Sequence, residues 1–264
     1  MLKPARSTVV FLCVVTALIL AILYGPILMA IVTAFVPIRG GVFQWDQVSV
    51  VAFESINGDI VDALKLTLIV GLVASTIALA ISTGLALYCA PGFGLGRKFI
   101  EFLIFLPFVM PPIITGLALL ISFREADVPR SLLTVLIGHV TILLAIAYRT
   151  IVTRLREMGP SLVEASLDLG ASRLQTFWWV VLPNLRPALM ASFVLCFALS
   201  FDETMVTLLL TGGQSTFPVR LWGMMRLGFS PSISALVVYI LAVSTVLSLF
   251  LIRLFIPERS KAVA

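Results

Sequence analysis

Residues Thr150–Pro187 read TIVTRLREMGPSLVEASLDLGASRLQTFWWVVLPNLRP, a polar interruption of about 38 residues between long apolar runs. A connector of that length needs structure of its own. The spacing predicts two short helices. The first covers Pro160–Leu169, with proline at its start and Gly170 just past its end. The second opens at Ser172, which has capping-box spacing to Gln175, and Pro183 is expected to stop it. Glu164 and Asp168, four apart, share a face of the first helix, where Leu162, Val163, Leu167 and Leu169 supply apolar surface. Phe177, Trp178, Val181 and Leu182 form an apolar cluster on the second. A short amphipathic helix beside a bilayer either lies on lipid or docks on a protein. Acids on its face are repelled by anionic lipid, so docking on a cytosolic partner is the better reading.

Working outward, the runs on either side read as membrane spans. The chain has 264 residues, 60% apolar and only 12% charged, whereas a soluble domain carries about 25% charged residues. A helix needs about 20 apolar residues to cross a bilayer. Six segments qualify: Val9–Phe35, Leu64–Tyr88, Phe99–Ser122, Leu132–Arg149, Ala188–Leu210 and Pro231–Ile256. Lys3 and Arg6 precede the apolar run Ser7–Ala34, about twice the length of a signal-peptide core, so a retained first membrane helix is expected. The expected fold is an all-α integral membrane protein: six transmembrane helices in a single domain over 1–264, with residues 150–187 as a cytoplasmic loop between helices four and five. With the N-terminus inside, twelve Lys and Arg fall on the inner segments and six on the outer ones, so both termini are expected in the cytoplasm. The net charge of +5 is then an orientation signal, and no nucleic-acid partner is expected. The first outer segment, Val36–Ala63, carries Phe43 and Trp45 at the membrane interface and a turn or cap at Asn57-Gly58-Asp59.

Pro91–Lys98 is glycine-rich but lacks phosphate-loop spacing and reads as a basic turn. The third helix carries Pro107, Pro111 and Pro112. Such a helix kinks or unwinds where protein or water re-satisfies the backbone, either as a hinge lining a pathway or as a static kink set by packing. Asp202 and Glu203 fall fourteen or fifteen residues into the fifth helix, about 21 Å along it and at or beyond the bilayer middle. Carboxylates at that depth face a cavity or a partner. They attract a cationic solute along a pathway, or they pair with a residue such as Arg220 or Arg226. Phe217–Gly228, with Trp222, is either a half-helix at the outer face that touches a delivery protein or an interfacial anchor. Cys13, Cys89 and Cys196 lack C-x-x-C spacing and read as packing residues. His139 is the sole histidine, which excludes a multi-histidine metal site and leaves a satisfied polar residue in the fourth helix. No G-x-S-x-G, H-E-x-x-H or nucleotide-binding loop is present, so a membrane protease or transferase has no support and any energy from ATP must come from another polypeptide. An ion-coupled secondary transporter is the alternative class, although six helices and no internal repeat suit it poorly.

The run Glu164-Ala165-Ser166-Leu167-Asp168-Leu169-Gly170-Ala171, followed by Phe177 and Leu182-Pro183, resembles the EAA loop of permeases in bacterial ABC importers of type I, with Ser166 where a second alanine is usual. Pro107–Leu120, Ser200–Glu203, Thr211–Gly213, Phe217–Arg220 and Ser230-Pro231 further resemble the spermidine/putrescine and opine permeases of the PotC type. The resemblance implies a coupling helix seated on a cytosolic ATPase, with Glu164 and Gly170 central, Asp168 on the same face, and Ala165, Ser166, Ala171 and Phe177 packing the loop. The residues expected on a pathway, from the readings above, are Asp202, Glu203, Pro111, Pro112 and Trp222. The resemblance also implies two cytosolic ATP-binding subunits, a second permease subunit (identical or homologous) and a periplasmic binding protein, in a bacterial inner membrane. This chain would have no catalytic site, metal or cofactor, since ATP and magnesium belong to the ATPase.

Overall fold

The computed structural model describes residues 6–89, 96–228 and 230–255. Most of the expected turn at Pro91–Lys98, the basic residues Lys3, Arg259 and Lys261, and the end of the last expected span at Ile256 lie outside them. Among the described residues four helices are long and apolar enough to cross a membrane, and a bent helix pair makes up to a fifth. Packing divides the chain into two compact units, one of residues 1–58 with 223–264, the other of residues 59–222.

In the first unit α1 (Arg6–Phe35) packs against α11 (Pro231–Phe255). The hydroxyl of Thr33 donates to that of Ser234 at 2.9 Å. α1 is apolar on all sides and exposes most of its large side chains, as a lipid-facing span does. After it, β1 (Ile38–Arg39) and β2 (Val42–Phe43) pair antiparallel. Gly40 and Gly41 turn the hairpin with φ +58° and +80°, values that side-chain-bearing residues adopt at a cost. Phe43 stacks on Trp45 at 5.5 Å.

The second unit is built around α5 (Leu132–Met158), which opens on a Ser131–Thr134 capping box. α2 (Gly58–Tyr88) buries a stripe of small residues, Gly71, Ala74, Ser75, Ala78, Ser82 and Ala86. Small residues let helix backbones approach closely in a membrane. Accordingly the Ser82 hydroxyl donates to the Leu144 carbonyl of α5 at 3.1 Å, and a Cβ at Gly71 would stand 3.0 Å from the Phe197 ring. Cys196 lies in the same core and Cys89 in a neighbouring one, as packing residues.

The third span is two helices, α3 (Arg97–Val109) and α4 (Pro112–Glu125), bent by 110° across Met110-Pro111. Pro111 has no N–H to give the Pro107 carbonyl, and the Thr115 hydroxyl serves that carbonyl at 3.2 Å instead.

Beyond α5 come α6 (Ser161–Asp168), α7 (Arg173–Thr176), a π turn (Phe177–Val181), α8 (Leu182–Asp202), α9 (Met205–Leu210) and α10 (Phe217–Arg226). Two expectations are corrected here. Pro183 does not stop the second loop helix, because the helix runs from Arg173 to Asp202. The π turn widens the helix just before Pro183, where the α-helical carbonyl of Trp179 would meet the pyrrolidine ring. The fifth span is also not one helix over Ala188–Leu210: it starts earlier and breaks at Glu203-Thr204.

Candidate functional site

Two places carry chemistry, the loop after α5 and the paired helix breaks. The loop is organised by its backbone. α6 ends in a Schellman arrangement: the Ala171 N–H donates to the Ser166 carbonyl at 3.1 Å and the Gly170 N–H to that of Leu167 at 2.9 Å. That geometry needs a left-handed residue, and Gly170 has φ +86°. Nothing lies within 4 Å of a Cβ built on it, so conformation and not intrachain crowding requires glycine. α7 has the expected Ser172–Gln175 capping box. The Ser166 hydroxyl lies 3.0 Å from that of Thr176, which donates to the Ser172 carbonyl at 3.1 Å. Serine at the position where a second alanine is usual therefore ties α6 to α7.

Glu164, Ala165, Asp168 and Gly170 are exposed, while Ser166, Ala171 and Phe177 are half-buried. Ala165, expected to pack the loop, thus faces outward. Phe177 packs against the core cluster of Tyr148, Ile151, Val181 and Leu185, and meets Trp178 edge-on at 5.3 Å. Leu169 is 89% exposed, Leu174 68% and Trp179 80%. Exposed leucines beside two carboxylates form an amphipathic surface that this chain leaves uncovered.

The second place is where the third and fifth spans break. α9 packs on α4 and α5. Glycines make room for it. A Cβ at Gly116 of α4 would stand 3.2 Å from the Val206 Cα, and one at Gly138 of α5 would stand 2.6 Å from both Val206 and Leu210 side-chain carbons. Both ends of α9 are served by side chains. Glu203 Oε1 accepts from the Val206 N–H at 2.9 Å, and the Thr134 hydroxyl donates to the Leu210 carbonyl at 2.9 Å. α4 and α9 run the same way, since Gly116 meets Val206 and, farther on, Arg130 meets Gly212. Pro112 is four residues before Gly116, about 6 Å, so the two breaks sit at similar depth on neighbouring helices.

Asp202 is therefore the last residue of α8 and Glu203 lies in the break, instead of mid-helix as expected. Asp202 is exposed and Glu203 half-buried. Arg220, suggested above as a structural partner for them, instead pairs with Asp59 at 2.8 Å. Pro111 and Pro112 are exposed beside Val109, Ile113 and Ile114. Trp222 is half-buried on α10, whose start is fixed to α2 where the Phe217 N–H donates to the Thr67 hydroxyl at 2.8 Å.

Two cavities in this unit suit a cation poorly. One of about 450 Å³ has Arg130, Thr207 and Thr216 in its wall and no carboxylate. The other, about 420 Å³, includes Asp59 and Asp62, but Arg220 and Lys65 already pair with them. Asp202 and Glu203 at the break of the fifth span make no ion pair among the described residues, and Asp202 is exposed.

Sequence reasoning missed Glu101 and the partners of His139. Glu101 of α3 accepts from Arg97 at 3.0 Å and from the Tyr148 hydroxyl of α5 at 3.0 Å, with Arg156 at 3.8 Å. An acid four residues after an arginine at the inner end of a span was the available signal. His139 is 1% exposed, with Nδ1 2.7 Å from the Ser200 hydroxyl and Nε2 2.7 Å from that of Thr207, one on each side of the break. Its two partners lie sixty or more residues away, and no local pattern marks them.

Residues 77–261 match the family model described as the inner membrane component of binding-protein-dependent transport systems. The putrescine transport system permease protein PotI of Escherichia coli K12 is 33% identical over 230 residues, covering 83% of this chain and 81% of that protein. The spermidine/putrescine transport system permease protein PotC of the same strain is 29% identical over 87% of this chain and 88% of its own. The sulfate transport system permease protein CysT of Salmonella typhimurium is 31% identical over 67% and 69%. A bacterial ABC transporter involved in the import of alginate, solved as a crystal structure, contains a chain with the same fold: TM-score 0.69, 16% identity, 97% of this chain and 100% of that one. These likenesses do not favour the ion-coupled alternative, and they make this a multi-pass inner-membrane protein with the type I permease fold. The chain belongs to the inner-membrane permease components of binding-protein-dependent ABC importers.

Proposed function

We propose that this permease forms half of the pathway for a small organic cation of the polyamine class. The observation that carries the reading is the pair Asp202 and Glu203, held at the break of the fifth span beside the break of the third. The cargo cannot be taken from the fold, since similar chains serve sulfate and alginate as well as polyamines. The charge at the breaks separates these classes: two adjacent carboxylates attract a cation and repel sulfate or alginate. Pro111, Pro112 and Trp222 complete the pathway wall. Because the breaks open on the surface of the single chain, a second permease, identical or homologous, encloses the pathway.

The loop after α5 is the coupling element. Glu164 and Asp168, with the exposed leucines around Gly170, seat on a cytosolic ATP-binding subunit, two of which serve the pair of permeases. ATP and magnesium reside there, and this chain has no catalytic or cofactor site. A periplasmic binding protein delivers the solute, and both termini are cytoplasmic.

The test is uptake by the assembled importer in proteoliposomes with its binding protein, using labelled putrescine and labelled sulfate. Putrescine is expected to enter and sulfate to be excluded. Glu203→Gln is expected to cut putrescine uptake about tenfold, the worth of one favourable charge contact, while the ATPase still copurifies. Sulfate uptake, or unchanged putrescine uptake in the variant, would overturn the assignment.

A further inference from the structure

His139 spans the broken helix with both ring nitrogens. Its partners are a serine on the last turn of α8 and a threonine on the first turn of α9. Counting donors sets the direction of the chain. The Thr207 hydroxyl donates its only proton to the Glu203 carbonyl at 3.1 Å, so toward His139 it must accept. Nε2 therefore carries a proton. Among the described residues no carboxylate contacts the ring, and a buried imidazolium without a counter-charge is costly, so Nδ1 is bare and accepts from Ser200. One unbroken series results: Ser200 O–H to Nδ1, Nε2–H to Thr207, Thr207 O–H to the Glu203 carbonyl. It ends on the residue whose backbone has left the helix and whose carboxylate caps the next one.

We infer that His139 is a positioning residue for the pathway carboxylates: by clamping Ser200 to Thr207 it fixes the break at Glu203 and thereby the aim of Glu203 and Asp202. The inference rests on the reading that those carboxylates face the pathway. The surroundings leave the ring little other purpose. It lies beside Gly138, whose missing side chain admits Val206 and Leu210, so α5 contributes at adjacent positions the space for α9 and its tether. Within this unit the exposed Asp202 lies two residues from Ser200 and Glu203 four from Thr207. A shift of the break by a fraction of a helical turn moves both acids together.

The experiment compares His139→Leu, which removes both hydrogen bonds, with His139→Gln, whose amide offers an acceptor and a donor at nearly the spacing of the ring nitrogens. Putrescine transported per ATP hydrolysed is measured in the assembled importer, a ratio that does not change with the amount of folded protein. His139→Leu is expected to lower it about tenfold through misplacement of the acids, and His139→Gln to return it to within about threefold of the parent. A substrate-independent arm follows the labelling rate of Asp202→Cys by a small cationic thiol reagent, with Cys13, Cys89 and Cys196 replaced. His139→Leu is expected to change that rate about fivefold by releasing the break, and His139→Gln to restore it. An unchanged labelling rate in His139→Leu, or a His139→Gln variant as impaired as His139→Leu, overturns the inference. If Glu203→Gln leaves transport intact while labelling responds to His139, the pathway reading fails and the tether stands.

Discussion

At the scale of single residues, Gly170 shows how a family motif reduces to backbone geometry. Its φ of +86° closes α6 through two hydrogen bonds, and a side chain there strains the closure whether or not it touches anything. Gly170→Ala is therefore expected to cost about 1 kcal/mol in the loop. If the ATPase binds only the closed loop, that becomes about a fivefold loss of ATPase affinity. Titrating the ATPase subunit onto the solubilised permease measures it, and Gly170→Asn, which tolerates the left-handed region, is expected to fall between. Gly170 and the Ser172–Gln175 cap were legible in the sequence because all their partners lie within five residues. The tie from Ser166 to Thr176 was not, since it depends on how two helices fold back on each other.

Among the helices, α5 is the common support of both broken spans. His139 holds the fifth near one end of α5, and Tyr148 and Arg156 hold Glu101 of the third near the other. Glu101 accepts two hydrogen bonds and has the charge of Arg156 at 3.8 Å, with only 27% of its side chain exposed, so it is worth more than a solvated ion pair. Glu101→Ala is expected to destabilise the solubilised importer by about 2 kcal/mol, because the Tyr148 hydroxyl, on a residue 2% exposed, loses its acceptor. A thermal unfolding series checks this, with Asp59→Ala as the contrast. The pair of Asp59 with Arg220 leaves the two side chains 68% and 40% exposed, so its loss is expected to cost no more than about 1 kcal/mol. A kinked or unwound third span was anticipated from Pro107, Pro111 and Pro112; Pro107 sits inside α3 and the break falls at Met110-Pro111. The break at Glu203 was not anticipated, because Ser200–Thr204 contains neither proline nor glycine.

For the whole molecule, with the bent pair α3–α4 counted as one crossing, Glu164 and Asp59 are expected on opposite sides of the membrane. Glu164→Cys is expected to react with an impermeant thiol reagent only from the cytoplasmic face, and Asp59→Cys only from the outer face. Labelling of right-side-out and inverted vesicles measures both. The sequence by itself determined the membrane class, the long apolar spans and the capped helices of the loop after α5, because hydropathy, caps and turns act over one or two helical turns. Tertiary structure alone decided where the fifth span breaks and how its freed backbone is satisfied. The Thr134 hydroxyl, which serves the Leu210 carbonyl, and His139, which ties the Thr207 side chain, stand 76 and 68 residues away along the chain. A helix can break inside a bilayer only where such partners replace water, and no local pattern records which distant residue will arrive.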